Sequence, residues 1–497
     1  MKKRIGVFLR GVACCLMLAA LVACGGDKSG GDGVYTINMM LLSNGTTPDV
    51  AEVQAAVNER IKEDGIKVEF VIMDWSFVEQ INLMVSGGEK IDFIPVWGGD
   101  LGNDVAQGKL LPLSKLLDGV GKPTKDTLGE YLQGTTFKGE VYALPTIRDM
   151  PQSFGICARE DILLKYGYNI KDLTTVEKWE EVFTNIAPKE PEITMLYTQG
   201  SGNDIIQQML QDYDSLGMDS NGVLMNRGQD IPFKVVNYYD TPEYEQRARM
   251  IRRWYQNGWI VKDATTNPQG GSLQVGAGKL LAFTSNLKPG FDAQSSLGAS
   301  GVKMVQVDLA PAVGYTSNVA SINWGIPITC KNPEKTMLLI NRLYTDPVVW
   351  NLINWGIEGK HYVKMNDHIA TYAPGVDASN SGYVMNLSWF YGNSLMDGGL
   401  MWEGNEYDVN EQMKEFNRTA IFSKAMGFNF DSTPVRNAIT SVQNVINEYR
   451  LAMGAGMLDV NENLPKFRKA MKDAGVDEIV AEKQKQLDAW AHEKGLY

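Results

Sequence analysis

Val34-Tyr35-Thr36-Ile37-Asn38-Met39-Met40-Leu41-Leu42 alternates in polarity and is rich in β-formers, which predicts a strand. Ser43-Asn44-Gly45 follows as a turn. Thr47 and Pro48 then stand where the cap and first residue of a helix belong, and Val50, Val53, Val57 and Ile61 share one face of that helix. Ile66 to Met73 reads as the next strand, and a Gly87-Gly88 break precedes a third from Ile91 to Trp97. Strand, helix and strand in this order predict an α/β lobe around a mainly parallel sheet.

Working outward, Thr136 to Pro145 reads as a tight turn between two short strands. A second α/β stretch follows, with helices near Val176 to Ile186 and Pro242 to Asn257 and an apolar strand from Leu280 to Phe283. From Asn332 the pattern is mostly helical: Asn332 caps one helix with Pro333 at its first position, and Asp346-Pro347 restarts the next. From Thr433 the chain carries helical patterns that close in a charged helix, Glu478 to Lys494.

Before the first strand, Lys2, Lys3 and Arg4 open a basic segment, followed by an apolar run from Val12 to Val22 and by Leu21-Val22-Ala23-Cys24. These are the marks of a secretory signal ending in a bacterial lipobox, with residues 1–23 removed and Cys24 lipidated. Residues 24–33, rich in glycine, form a flexible tether. The chain is expected outside the cytoplasm, held to the outer face of the cell membrane through its lipid alone.

The formal net charge of −12 becomes more negative once residues 1–23, which hold four basic residues and no acid, are removed. Such a surface disfavours nucleic acid and anionic headgroups. Cys157 and Cys330 remain, too few for a disulfide framework, and are expected as free, buried thiols. Signatures of catalysis are missing: there is no Gly-x-Ser-x-Gly elbow, no His-Glu-x-x-His and no Cys-x-x-Cys. His361 and His368 are separated by a loop-like stretch, and Asp212, Asp214 and Asp219 do not match calcium-loop spacing. No metal, cofactor or catalytic residue is expected.

Several segments together resemble the extracellular solute-binding proteins of ABC importers, in the large sugar-serving family. They are the lipobox, Lys138-Gly139-Glu140-Val141-Tyr142-Ala143-Leu144-Pro145, Gly278-Lys279-Leu280-Leu281-Ala282-Phe283, and Trp324-Gly325-Ile326-Pro327 through Lys335. Asn354-Trp355-Gly356-Ile357-Glu358-Gly359-Lys360-His361-Tyr362, Phe430-Asp431-Ser432-Thr433-Pro434-Val435 and Glu482 to Asp488 are similar to a Gram-positive lipoprotein subgroup with an uncharacterised C-terminal domain. The chain departs from the family pattern at Cys157-Ala158-Arg159-Glu160-Asp161, where relatives often show a Tyr-Asn pair.

The resemblance implies a two-lobed periplasmic-binding-protein-like fold of type II, α/β, with hinged lobes and a helical C-terminal region. Residues 34–152 with about 328–355 would form lobe 1, residues 153–327 with about 356–432 lobe 2, and residues 433–497 the C-terminal region. Crossings are expected near Gln152 to Cys157 and Asn323 to Thr329. It also implies a monomeric receptor delivering its ligand to ABC permease subunits.

Sugars ask for aromatic rings over their apolar faces and planar polar groups for paired hydrogen bonds. Trp179, Trp254, Trp259, Trp350 and Trp490 lie in helical patterns and are expected to pack. Trp75, Trp97, Trp324 and Trp355 lie at strand ends or beside glycine, where clefts place contacts, with Trp389 and Trp402 as weaker candidates. Asp74, Arg148, Asp149 and Asn323 are the polar candidates, Asn44 and Asn286 weaker ones. Glu358 and His361 read as structural. A sugar or oligosaccharide is the expected ligand. A peptide or other small polar solute on the same fold, and a surface-anchored carbohydrate-active enzyme, are the alternatives.

Overall fold

A computed structural model describes residues 33–43, 47–200, 202–217, 221–377, 379–383 and 387–497. The expected signal peptide, Cys24, nearly all of the tether and Asn44 lie outside the described residues. Tyr35–Leu42 pairs in parallel with Ile66–Met73, in register from Tyr35 opposite Ile66 to Leu42 opposite Met73. The helix between them, Val50–Ile61, buries Val50, Val53, Val57 and Ile61, as its spacing demands. Thr47 does not cap it: the helix opens after Asp49, with no side-chain cap.

Phe93 bridges to Met39 in parallel, and Ile94–Trp97 then pairs with Ile322–Gly325, which runs antiparallel to it and also pairs with Leu144–Pro145. The second lobe is built on a five-stranded sheet in the spatial order Ile421–Phe422, Met304–Gly314, Gln152–Arg159, Leu280–Leu287, Thr194–Thr198. Its outer pairs are parallel and its two inner pairs antiparallel, so this sheet is mixed.

Two hydrophobic cores define the two lobes. The first joins Ile37 to Met150 with Ile322 to Ile353, and also takes Ile369, Tyr383, Leu387, Phe390, Tyr391, Leu395, Met401, Val409 and Met413. That corrects the placement of residues 356–419 in the second lobe; from Ile421 the chain does lie with that lobe. The segment returns over lobe 1 because its polar backbone is satisfied there. The Trp324 indole N–H donates to the Phe390 carbonyl at 2.6 Å. Ile147 N–H donates to the Gly392 carbonyl, and Ser394 N–H to the Ile147 carbonyl, each at 2.9 Å. Residues 322–326 likewise belong to the first core, not the second.

The second core runs from Ile156 to Val307 and then takes Val442, Ile446, Met453, Val460, Leu464, Phe467, Met471, Val476 and Ile479. These come from the helices Arg436–Gly454, Val460–Asp473 and Val476–Glu493. The C-terminal helices are thus part of the second lobe's interior. Lys483, fully buried, donates to the carbonyls of Ser215 and Gly222, and the Gln484 amide bonds the backbone of Val235 and Phe233.

The chain passes between lobes three times: before Gln152, between Gly314 and Ile322, and between Thr419 and Ile421. Both crossings therefore lie earlier in the chain than expected, since Gln152–Arg159 is already second-lobe sheet and Ile322–Gly325 already first-lobe sheet. The second and third crossings run side by side, with Gly314 paired to Phe422. A β-carbon at Gly314 would lie 2.3 Å from the Phe422 ring, so the contact requires glycine.

Candidate ligand-binding cleft

Leu42 and Met73 end their strands side by side, and Ser43 N–H donates to the Met73 carbonyl at 2.8 Å. Ser43 and Asp74 therefore sit at the C-terminal edge of the parallel pair, where open α/β sheets bind ligands. Asp74-Trp75-Ser76 is an Asx turn leading into the helix Phe77–Ser86. Asp74 Oδ1 accepts from Ser76 N–H at 2.8 Å, Ser76 Oγ at 2.5 Å and Gln80 Nε2 at 3.2 Å. These bonds to the charged form hold the carboxyl below the usual aspartate range, so it is ionised at neutral pH.

The turn pushes Trp75 outward, leaving it 51% exposed. Its ring lies parallel to that of Trp389, with centroids 6.1 Å apart and 5° between the planes. Trp389 meets Phe390 edge-on, and Phe390 continues to Phe77, Trp97 and Trp324, tying the outer pair to the core. A cavity of about 570 Å3 opens here, lined by Ser43, Ile72, Met73, Asp74, Trp75, Ser76 and Gln80. It is broadly open to solvent and lined from the first lobe alone.

Arg148 and Asp149 lie at the first crossing. The Arg148 guanidinium donates to Ser321 Oγ at 2.6 Å and to the Asp149 carbonyl at 3.0 Å, and stands 3.4 Å from the Asp149 carboxylate. Lys288, in the second lobe, approaches the same carboxylate at 3.6 Å, so this cluster spans the lobes. Asn417, in the last turn of the helix Val409–Thr419 just before the third crossing, clamps the first: its Nδ2 donates to the Arg148 carbonyl at 2.7 Å, and its Oδ1 accepts from Met150 N–H at 2.9 Å. Asn286 is exposed near the end of its strand in the second-lobe sheet.

The structure thus brings together Asp74, Trp75 and Trp389, and places Trp97 half-buried behind them against Phe77 and Phe390. Asn323, Trp324 and Trp355 are corrected: each is at most 1% exposed. Asn323 Nδ2 donates to the carbonyls of Ala320 and Val96, and Trp324 packs 4.7 Å from Phe93. The strand-end rule misplaced this pair because Ile322–Gly325 runs antiparallel to its neighbour, so its C-terminal end points away from the cleft edge. Trp355 stacks on Trp402 (5.3 Å, 2°) in a separate aromatic cluster with Trp350 and Tyr362. Sequence reasoning missed Ser76, Gln80 and Asn417. An Asp-x-Ser turn at a helix start was a signal for the first two; nothing local signals Asn417.

A two-lobed α/β binding protein with an open cavity at the strand ends of one lobe is the class that this fold defines. The chain belongs to the family of bacterial extracellular solute-binding proteins, which matches residues 44–350, and a domain of unknown function, DUF3502, matches residues 424–492. A carbohydrate ABC transporter substrate-binding protein of Streptococcus pneumoniae serotype 4 is 25% identical over 502 residues, covering 96% of each chain. Among solved structures, an N-glycan transport solute-binding protein from Streptococcus pneumoniae superposes with a TM-score of 0.79 at 22% identity, over 93% of this chain and 100% of that one. An HMO binding, ABC-transporter associated solute-binding protein from Bifidobacterium longum infantis gives 0.64 at 17% identity, over 92% and 99%. Both share the fold. These relatives are binding components of transporters, and the family is an extracellular one. No described helix is long and apolar enough to cross a membrane.

Proposed function

We propose that this chain is the substrate-binding receptor of an ABC importer, capturing an oligosaccharide between its lobes and presenting it to the permease. Cys24, once lipidated, would hold it at the outer face of the cell membrane. The observation that carries the reading is the Trp75–Trp389 pair, half open to solvent beside Asp74 and Gln80. An indole face takes the apolar face of a sugar ring, while a carboxylate and an amide accept and donate to its hydroxyls. Asp74, Trp75 and Trp389 would contact the ligand directly, with Trp97 supporting them. Asn286 would contribute from the second lobe, and Arg148 and Asp149 would set the geometry of the crossing.

Capture requires a ligand that touches both lobes, since only differential affinity shifts an open–closed balance. The carbohydrate named for the full-length relative supports a sugar over a peptide. A thermal-shift screen of residues 27–497 against oligosaccharides and peptides tests the reading. A ligand of the folded state at a hundredfold excess over Kd adds about 2.7 kcal/mol of stability. A rise with one glycan type, without cleavage of the glycan, is the expected result. A rise with peptides alone replaces the ligand class, and silence across the panel refutes the reading.

A further inference from the structure

We propose that the cleft selects its glycan by charge, admitting neutral and amine-bearing sugars and rejecting uronates and other acidic ones. The inference rests on the sugar reading above and concerns the same cavity. Of the residues lining it, Asp74 alone is ionisable with an ordinary charge, and that charge is negative. Asp74 Oδ1 is saturated by Ser76 and Gln80, whereas Oδ2 accepts no hydrogen bond from a described residue and is left to face the ligand. An incoming carboxylate beside Trp75 would meet this oxygen with like charge and no donor of its own. A hydroxyl or an ammonium would donate to it.

The cations of the first crossing, Arg148 and Lys288, are not among the residues that line this cavity, and both stand against Asp149. Lys360, outside the cavity lining, reaches the first turn of the helix Val50–Ile61 and is held there between Asp49 and Glu52. The chain neighbours of Ser43 that lie outside the described residues, Asn44, Gly45 and Thr46, carry no charge. An arginine that reads uronic acids bidentately presents a paired fork, and both terminal nitrogens of Arg148 already donate to protein, one to the Asp149 carbonyl and one to Ser321 Oγ.

The test uses matched pairs: gluco-, galacto-, manno- and xylo-oligosaccharides, each as the neutral chain and as a uronate-bearing counterpart, with chitotriose and its N-acetylated form as the amine pair. Binding is measured by titration calorimetry at low salt and at 0.5 M salt. The expected result is at least one neutral oligosaccharide that binds, with its uronate counterpart at least tenfold weaker and the gap narrowing in salt. Asp74→Asn, which can keep the Asx turn, should close that gap threefold or more. Uronates binding as well as their neutral partners, or a gap unchanged in Asp74→Asn, would overturn the charge rule alone. Failure of every glycan, neutral or charged, would overturn the sugar reading as well.

Discussion

Trp75→Ala is the sharpest test of the cleft. About half of the Trp75 surface is open, and a tryptophan commonly buries 150–250 Å2, so a ligand can cover roughly 100 Å2 of it. At about 25 cal/mol per Å2 this is worth roughly 2.5 kcal/mol, or a rise in Kd of about seventyfold. Ordering of ligand and side chains takes part of that gain, which sets the expected loss at roughly ten- to seventyfold. Calorimetry with the glycan found by thermal shift measures it, and the melting temperature of the ligand-free variant is the control. Because Trp75 packs mainly on Trp389 at the surface, that temperature should fall by no more than a few degrees. Trp75→Phe should keep part of the affinity. A variant that stays folded and binds within threefold of the parent would show that the ligand lies elsewhere.

Trp324→Ala should behave in the opposite way. It empties a site 1% exposed and orphans the Phe390 carbonyl, so urea unfolding should show a loss of about 3–5 kcal/mol; a loss below about 1.5 kcal/mol would contradict its place in the core. Asn417→Ala leaves the Arg148 carbonyl and Met150 N–H without partners, at a cost of about 1–3 kcal/mol. Glycan affinity should change although no cleft contact is lost, with a shifted radius of gyration in ligand-free small-angle scattering, and an unaltered affinity and radius would remove Asn417 from the hinge. Burial raises the Asp204 carboxyl from 3.8 to about 6. A raised carboxyl favours the folded state below its unfolded pKa, and this contribution is lost as pH rises from about 3.8 through about 6. Asp204→Asn should therefore gain on the parent by up to about 3 kcal/mol between pH 4 and pH 7.5, at about 1.4 kcal/mol per unit; equal stability differences at both pH values would refute the shift.

The alternation from Tyr35 to Leu42 and the apolar spacing from Val50 to Ile61 were legible because local periods dictate which face is buried. Asp74 and Trp75 were legible for a related reason: they follow a strand directly, and in a parallel sheet that position is the ligand edge. Trp324 obeys the same local pattern in an antiparallel strand, and strand direction is a property of the whole sheet. Trp389 could be ranked only weakly, because its partner Trp75 lies far away in sequence and no local pattern announces their meeting. The return of Ile369 to Met413 over the first lobe, and the clamp made by Asn417, are likewise long-range matters of backbone satisfaction. The C-terminal helices were recognised as helices, but the sequence offered no hint that their apolar faces complete another core.

That completion governs the order in which the molecule can be made. The second lobe lays down its central strand at Gln152–Arg159, yet its interior stays unroofed until Val442 to Ile479 arrive. The buried Lys483 ammonium, which ties down the carbonyls of Ser215 and Gly222, comes later still. Contacts so distant in sequence form slowly and leave apolar surface open in the meantime. A chain emerging from its amino end therefore cannot finish this lobe before nearly all of it has been released. A truncation that removes only the last helix should yield a sticky, half-built receptor, not a smaller one.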